Sequence, residues 1–123
     1  METQQTLYFE TTSAVDVKAS RSIFEQLMNE TIDNVLSSMG TVCRQAVYDR
    51  LEREYGMKRN EVAHHIEEFS EALAQVFGGA TALLEIQIMK RLCQKVPEFK
   101  YRPEGTLTFP DYVNALSRFI ETR

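Results

Sequence analysis

Apolar residues recur along this chain at three- and four-residue spacing, in successive stretches that glycine or proline closes. The punctuation falls at Gly40, Gly56, Gly78-Gly79 and Pro97. Such spacing belongs to amphipathic helices, and glycine closes them because it enters the left-handed conformation without strain. The pattern predicts an all-α fold: a compact single-domain bundle of about five helices.

The first helix is expected from Ser20 or Ser22, where serine can cap the opening turn, to Met39. Its apolar positions, Ile23, Phe24, Leu27, Met28, Ile32, Val35, Leu36 and Met39, cover more than half of the circumference. A surface helix needs a narrower stripe, so this one is either central to the fold or meets a second molecule. Ile23, Leu27 and Leu36 are the expected face of a homodimer. Residues 1–19 lack helical periodicity and read as a partly flexible tail, with Leu7-Tyr8-Phe9 its one apolar cluster, ahead of a helical domain over 20–123.

Thr41 can cap a second helix reaching Tyr55, with Cys43, Val47, Leu51 and Tyr55 on its stripe. Asn60 can cap a third. Val62, Ile66, Phe69, Leu73, Val76 and Phe77 follow it in the cleanest amphipathic pattern of the chain; a break near His64-His65 is allowed but not required. The fourth helix spans Ala80 to Val96. Its first half is apolar nearly all round (Ala82, Leu83, Leu84, Ile86, Ile88, Met89), which predicts the most buried element at the centre of the bundle. Glu98 to Leu107 reads as an ordered loop or partial strand with Phe99 and Tyr101 tucked in. Thr108-Phe-Pro-Asp111 resembles a capping box and opens a last helix striped by Phe109, Tyr112, Val113, Leu116, Phe119 and Ile120.

Length and composition narrow the function. The 123 residues suit one domain, and 43% hydrophobic with 26% charged residues is a globular balance. A net charge of −4 argues against a general binder of nucleic acid or membrane surfaces. Cys43 and Cys93 both fall on core stripes and form no metal-type pair, which points to a reducing cytoplasm. No signal peptide is expected. The most apolar run, Ala80 to Met89, is too short for a bilayer and carries Glu85 and Gln87, so no membrane is expected either.

No motif for catalysis emerges: G-x-S-x-G, the P-loop and G-x-G-x-x-G are all missing. His64 and His65 are adjacent, so on a helix they diverge by about 100° and cannot chelate one metal. Gly78-Gly79-Ala80 lacks the lysine of a phosphate loop and suits a tight turn. No enzyme, catalytic residue, cofactor or metal is therefore expected. Leu51 to Ile66 reads like a helix-turn-helix, which makes a DNA-binding regulator using Arg59 to His65 the alternative. The carboxylates of Glu61, Glu67, Glu68 and Glu71 on its recognition side would repel phosphates. A small-ligand protein with a site drawn from Tyr48, Tyr55 and His65 is a further alternative. The leading interaction candidate is the basic cluster Lys90, Arg91, Lys95, Lys100 and Arg102, set apart from the acidic group.

Several of these stretches together resemble a family. They are Leu36-Ser-Ser-Met-Gly40, Ala46-Val-Tyr-Asp-Arg-Leu51, Glu54-Tyr-Gly56, Glu68-Phe69, Val76-Phe77-Gly78, Ile88-Met-Lys-Arg-Leu92 and Phe109-Pro-Asp-Tyr112. Over about residues 22–121 the chain is similar to the archaeal small helical domain family named after the Nitrosopumilus output domain. These are core and turn positions. The resemblance implies an output or adaptor role in archaeal signal transduction, with a separate sensor, receiver or ATPase as protein partner. No catalytic residue comes with it. The function expected is a non-catalytic, self-associating interaction module.

Overall fold

No glycine or proline occurs between residues 2 and 39, so nothing in the backbone halts a helix there. In the computed structural model, which describes residues 2–100 and 108–122 and side chains from residue 19 onward, one helix fills that stretch. It is α1 (Glu2–Ser38), followed by α2 (Thr41–Tyr55), α3 (Ile66–Phe77), α4 (Thr81–Lys95) and α5 (Phe109–Thr122). Short 3-10 helices, Arg59–His64 and Gly78–Ala80, lead into α3 and α4. Among the described residues there is no strand, and the chain is all-α as its periodicity predicts. The expected start at Ser20 or Ser22 is corrected: the helix already runs from Glu2, because a run without strong breakers need not show an apolar stripe to be helical. The side chains of Leu7, Tyr8 and Phe9 lie outside the described residues.

The centre of the bundle is α1. It packs against α2, the Arg59–His64 turn, α4 and α5. Phe24, Met28, Thr31, Ile32, Val35 and Leu36 are all buried by these neighbours. That accounts for the unusually broad apolar belt, since a helix with partners on several sides needs apolar residues on several sides. Burying each large side chain contributes about 1.5–3 kcal/mol. The expectation that the fourth helix is central and most buried is corrected. Leu84, Ile88 and Leu92 on α4 are buried, but Leu83 is 65% and Ile86 55% exposed. Among the described residues, neighbours cover one side of α4 only.

Glycines set the corners. Gly40 has φ 104, and Gly56 closes α2 in the left-handed conformation at φ 61, ψ 28. The Gly56 N–H donates to the Glu52 carbonyl and the Met57 N–H to that of Leu51, both at 3.1 Å. Met57 is then buried. Neither Thr41 nor Asn60 caps a helix with its side chain, contrary to expectation. Gly40 precedes α2, and the third segment opens as a 3-10 turn after Lys58 instead. That segment does break at His65 (φ −135, ψ 51). Thr108 caps α5 as its box-like sequence predicts: the Asp111 N–H donates to Thr108 Oγ1 at 3.3 Å.

The stretch Ile66–Lys95 has the length and composition of a membrane span: 30 residues, mean hydropathy 1.4, with 33% of its most apolar window buried. Taken through the turn, it is longer than the run Ala80–Met89 considered from sequence. Gly78 (φ 55, ψ −123) divides it into α3 and α4, which pack on each other. Thr81 braces the corner by donating to the Gly78 carbonyl at 2.7 Å. Phe99 follows α4 and sits between Tyr112 and Phe119, with ring centroids 5.6 and 5.2 Å away. Tyr101 lies outside the described residues.

Candidate functional site

Two surfaces stand out. The first is the outward side of α4. Its opening turns expose Ala82, Leu83 and Ile86, and its later turns present Lys90, Arg91 and Lys95. Lys90 and Lys95 are exposed and Arg91 is half-buried, bordering a shallow depression with Gln87 and Gln94. Lys95 Nζ donates to Oγ1 of the buried Thr31 at 3.2 Å, which ties this face to α1. Lys100 is exposed just beyond the helix, and Arg102 lies outside the described residues. The structure thus brings Lys90, Arg91 and Lys95 onto one helix surface, as the sequence cluster implies. It adds an apolar half to that surface which periodicity assigned to the core.

The second surface is a cleft where α1, α2 and the Arg59–His64 turn meet, with a volume of about 240 Å³. Asp33 of α1 accepts from Arg44 Nε at 2.7 Å and from the Tyr48 hydroxyl at 3.1 Å, both on α2. The Arg59 guanidinium carbon lies 4.2 Å from the Tyr48 ring centroid, and that of Arg44 lies 5.5 Å away. Such cation–π placement fixes both the ring and the cations. Burial, then the neighbouring Asp33 charge and its hydrogen bond, raise the Tyr48 phenol well above its ordinary range, and the two arginines offset only part of this. The ring therefore carries a neutral hydroxyl at physiological pH. Asn29 and Asn60 complete the wall. Asn29 Oδ1 is buried and accepts no hydrogen bond among the described residues.

Tyr48 is a candidate ligand residue from the sequence, but the cleft around it is not legible there. Asp33, Arg44 and Arg59 lie on three elements, and no motif spacing connects them. The other residues of that ligand reading lie elsewhere: Tyr55 and His65 border a separate shallow surface with Glu61 and Glu68.

The remaining expectations resolve individually. Leu36 is withdrawn from the dimer face, because it is fully buried inside its own subunit. Ile23 remains, 56% exposed, with Leu27 half-buried nearby. Cys93 is corrected from core stripe to exposed position, its Sγ 2.9 Å from the Tyr112 hydroxyl, while Cys43 is half-buried. His64 pairs with Glu25 across 2.6 Å. Within the helix-turn-helix-like stretch, Arg59 lies over Tyr48, and α3 carries Glu67, Glu68 and Glu71. Among the described residues, no group of three or more potential ligands is placed to hold a metal ion. Comparison with known proteins returns no matching family model, no matching curated relative and no matching solved structure.

Proposed function

We propose that this chain is a non-catalytic interaction module that docks an acidic protein partner through the outward face of α4. The observation that carries the reading is the composition of that face. Leu83 and Ile86 stand in water on the same helix surface that presents Lys90, Arg91 and Lys95. Exposed large aliphatic residues are costly unless a partner covers them, and the adjacent cations select a partner of opposite charge. A net charge of −4 makes this basic surface a local exception on an acidic protein. A role as an archaeal output or adaptor module, with a sensor, receiver or ATPase as partner, draws its support from the sequence resemblance. Self-association through α1 belongs to the same proposal and draws its support from Ile23.

The test is crosslinking of the tagged full-length protein in native extract, with mass spectrometry, beside Leu83→Asp and Lys90→Glu variants. A partner crosslinked through Lys90, Lys95 or Lys100 and lost from both variants supports the reading. Crosslinks confined to other faces, or unchanged in both variants, overturn it.

A further inference from the structure

We infer that the cleft between α1, α2 and the Arg59–His64 turn binds a small organic anion, its oxyanion held by Arg59 and Arg44 and its hydroxyl group donating to Asn29. This site is distinct from the α4 face and stands independently of the docking proposal.

Charge is the first support. Two guanidinium groups border one small space, and a single carboxylate, Asp33, answers them. Asp33 accepts the Arg44 Nε–H, and no hydrogen bond from the Arg44 Nη groups forms among the described residues. Among the described residues Arg59 makes one hydrogen bond, a long one from Nη2 to Gln45 Oε1 at 3.4 Å. The cleft therefore holds one positive charge in excess and several guanidinium N–H donors to spare. Guanidinium groups present paired donors that match a carboxylate or a phosphate.

The second support is the orphan acceptor. A buried carbonyl oxygen in a native protein almost always finds a donor, and one left without a partner marks a place where a bound water, ion or ligand can supply it. Asn29 Oδ1 is the one buried side-chain acceptor in this condition among the described residues, and Asn29 lines this cleft. A ligand that is only an anion would leave it unanswered. A hydroxyl on the same molecule answers it.

The third support is pre-organisation and size. Tyr48 is held by Asp33 from one end and flanked by both arginines, so the cationic groups are in place before a ligand arrives. A volume of about 240 Å³ is below the usual range for drug-sized ligands. It suits a hydroxy acid or a small phosphate ester. A metal cation is disfavoured, since it would face two guanidinium groups.

The experiment is an NMR titration of the full-length protein that follows the Tyr48 ring. The probes are acetate, glycolate, inorganic phosphate and glycerol 3-phosphate, with glycerol as the neutral control. Saturable shifts of the Tyr48 ring with the anions but not glycerol are expected, with glycolate binding more tightly than acetate. Arg59→Gln should weaken anion binding at least about tenfold, as expected for loss of one charge-assisted hydrogen bond. Asn29→Ala should remove the preference of glycolate over acetate. The relative affinities of the carboxylates and the phosphates identify which oxyanion the site takes. No saturable Tyr48 shift with any anion overturns the proposal. So does binding that Arg59→Gln leaves unchanged, or a glycolate preference that survives in Asn29→Ala.

Discussion

The Tyr48 hydroxyl donates to Asp33 at 3.1 Å and so joins α2 to α1 on the same carboxylate that accepts from Arg44. Tyr48→Phe deletes that bond and little else. It should cost about 0.5–1.5 kcal/mol in urea unfolding, the net worth of one hydrogen bond. Asp33→Ala should cost more, because it strands both the phenol and the guanidinium. The Arg44–Asp33 coupling itself should be small, about 0.2–1 kcal/mol in a double-mutant cycle, since both side chains remain partly exposed.

Alkaline pH should unfold the protein through its tyrosines. Burial, with Asp33 beside Tyr48 and Cys93 beside Tyr112, raises both phenols above their ordinary value of 10.0. The folded state thus keeps protons that the unfolded state releases above pH 10.0. Their contribution to stability is complete below that pH and is lost progressively as pH rises beyond it. Denaturant midpoints measured at several alkaline pH values should fall accordingly, and Tyr48→Phe should flatten the decline.

Substitutions on α1 separate packing from assembly. Leu36 is fully buried, so Leu36→Glu should cost several kcal/mol, roughly 3–5, by burying an unpaired charge. Ile23 is 56% exposed, so Ile23→Glu should change stability by only about 0.5 kcal/mol. Sedimentation of the Ile23→Glu variant then reads the oligomer alone. A halved mass places an interface on α1, and an unchanged dimer mass rules that face out.

Two glycines should differ in their intolerance of a side chain. A Cβ would meet no atom within 4 Å at Gly56 or at Gly78, so backbone conformation alone sets the cost. Gly56 is in the left-handed helical region, where other residues are strained by about 1–2 kcal/mol. Gly78, at φ 55 and ψ −123, lies outside even that region. Gly78→Ala should therefore destabilise more than Gly56→Ala in parallel denaturant titrations, and equal losses would contradict this.

The parts of this fold legible in the sequence are those that local chemistry dictates. Gly56 and Pro97 bound their helices, Thr108 caps α5, and the stripe from Phe109 to Ile120 is buried where its spacing places it, with Phe119 half-covered. The failures share a cause. Leu83 and Ile86 carry the hydropathy of core residues, but burial depends on which neighbours reach them, and among the described residues none covers that side of α4. The break at His65, which the sequence allows but does not require, likewise depends on tertiary contact, as the chain passes α1 in a 3-10 turn there. The cleft was hidden for a related reason. Asp33 meets Arg44 and Tyr48 only after the corner at Gly40 folds α2 back along α1.

Gly78 carries a consequence larger than its strain. Were that residue helical, α3 and α4 would run on as a single rod of 30 residues, about 45 Å long. Such a rod exceeds the hydrocarbon thickness of a bilayer, about 30 Å, and its composition would suit one. Turned at Gly78, α4 instead closes against α1 while α3 packs on α2 and α5, and Phe69, Leu73, Leu84 and Ile88 are buried. The positive φ of one glycine makes this stretch a corner and not a beam.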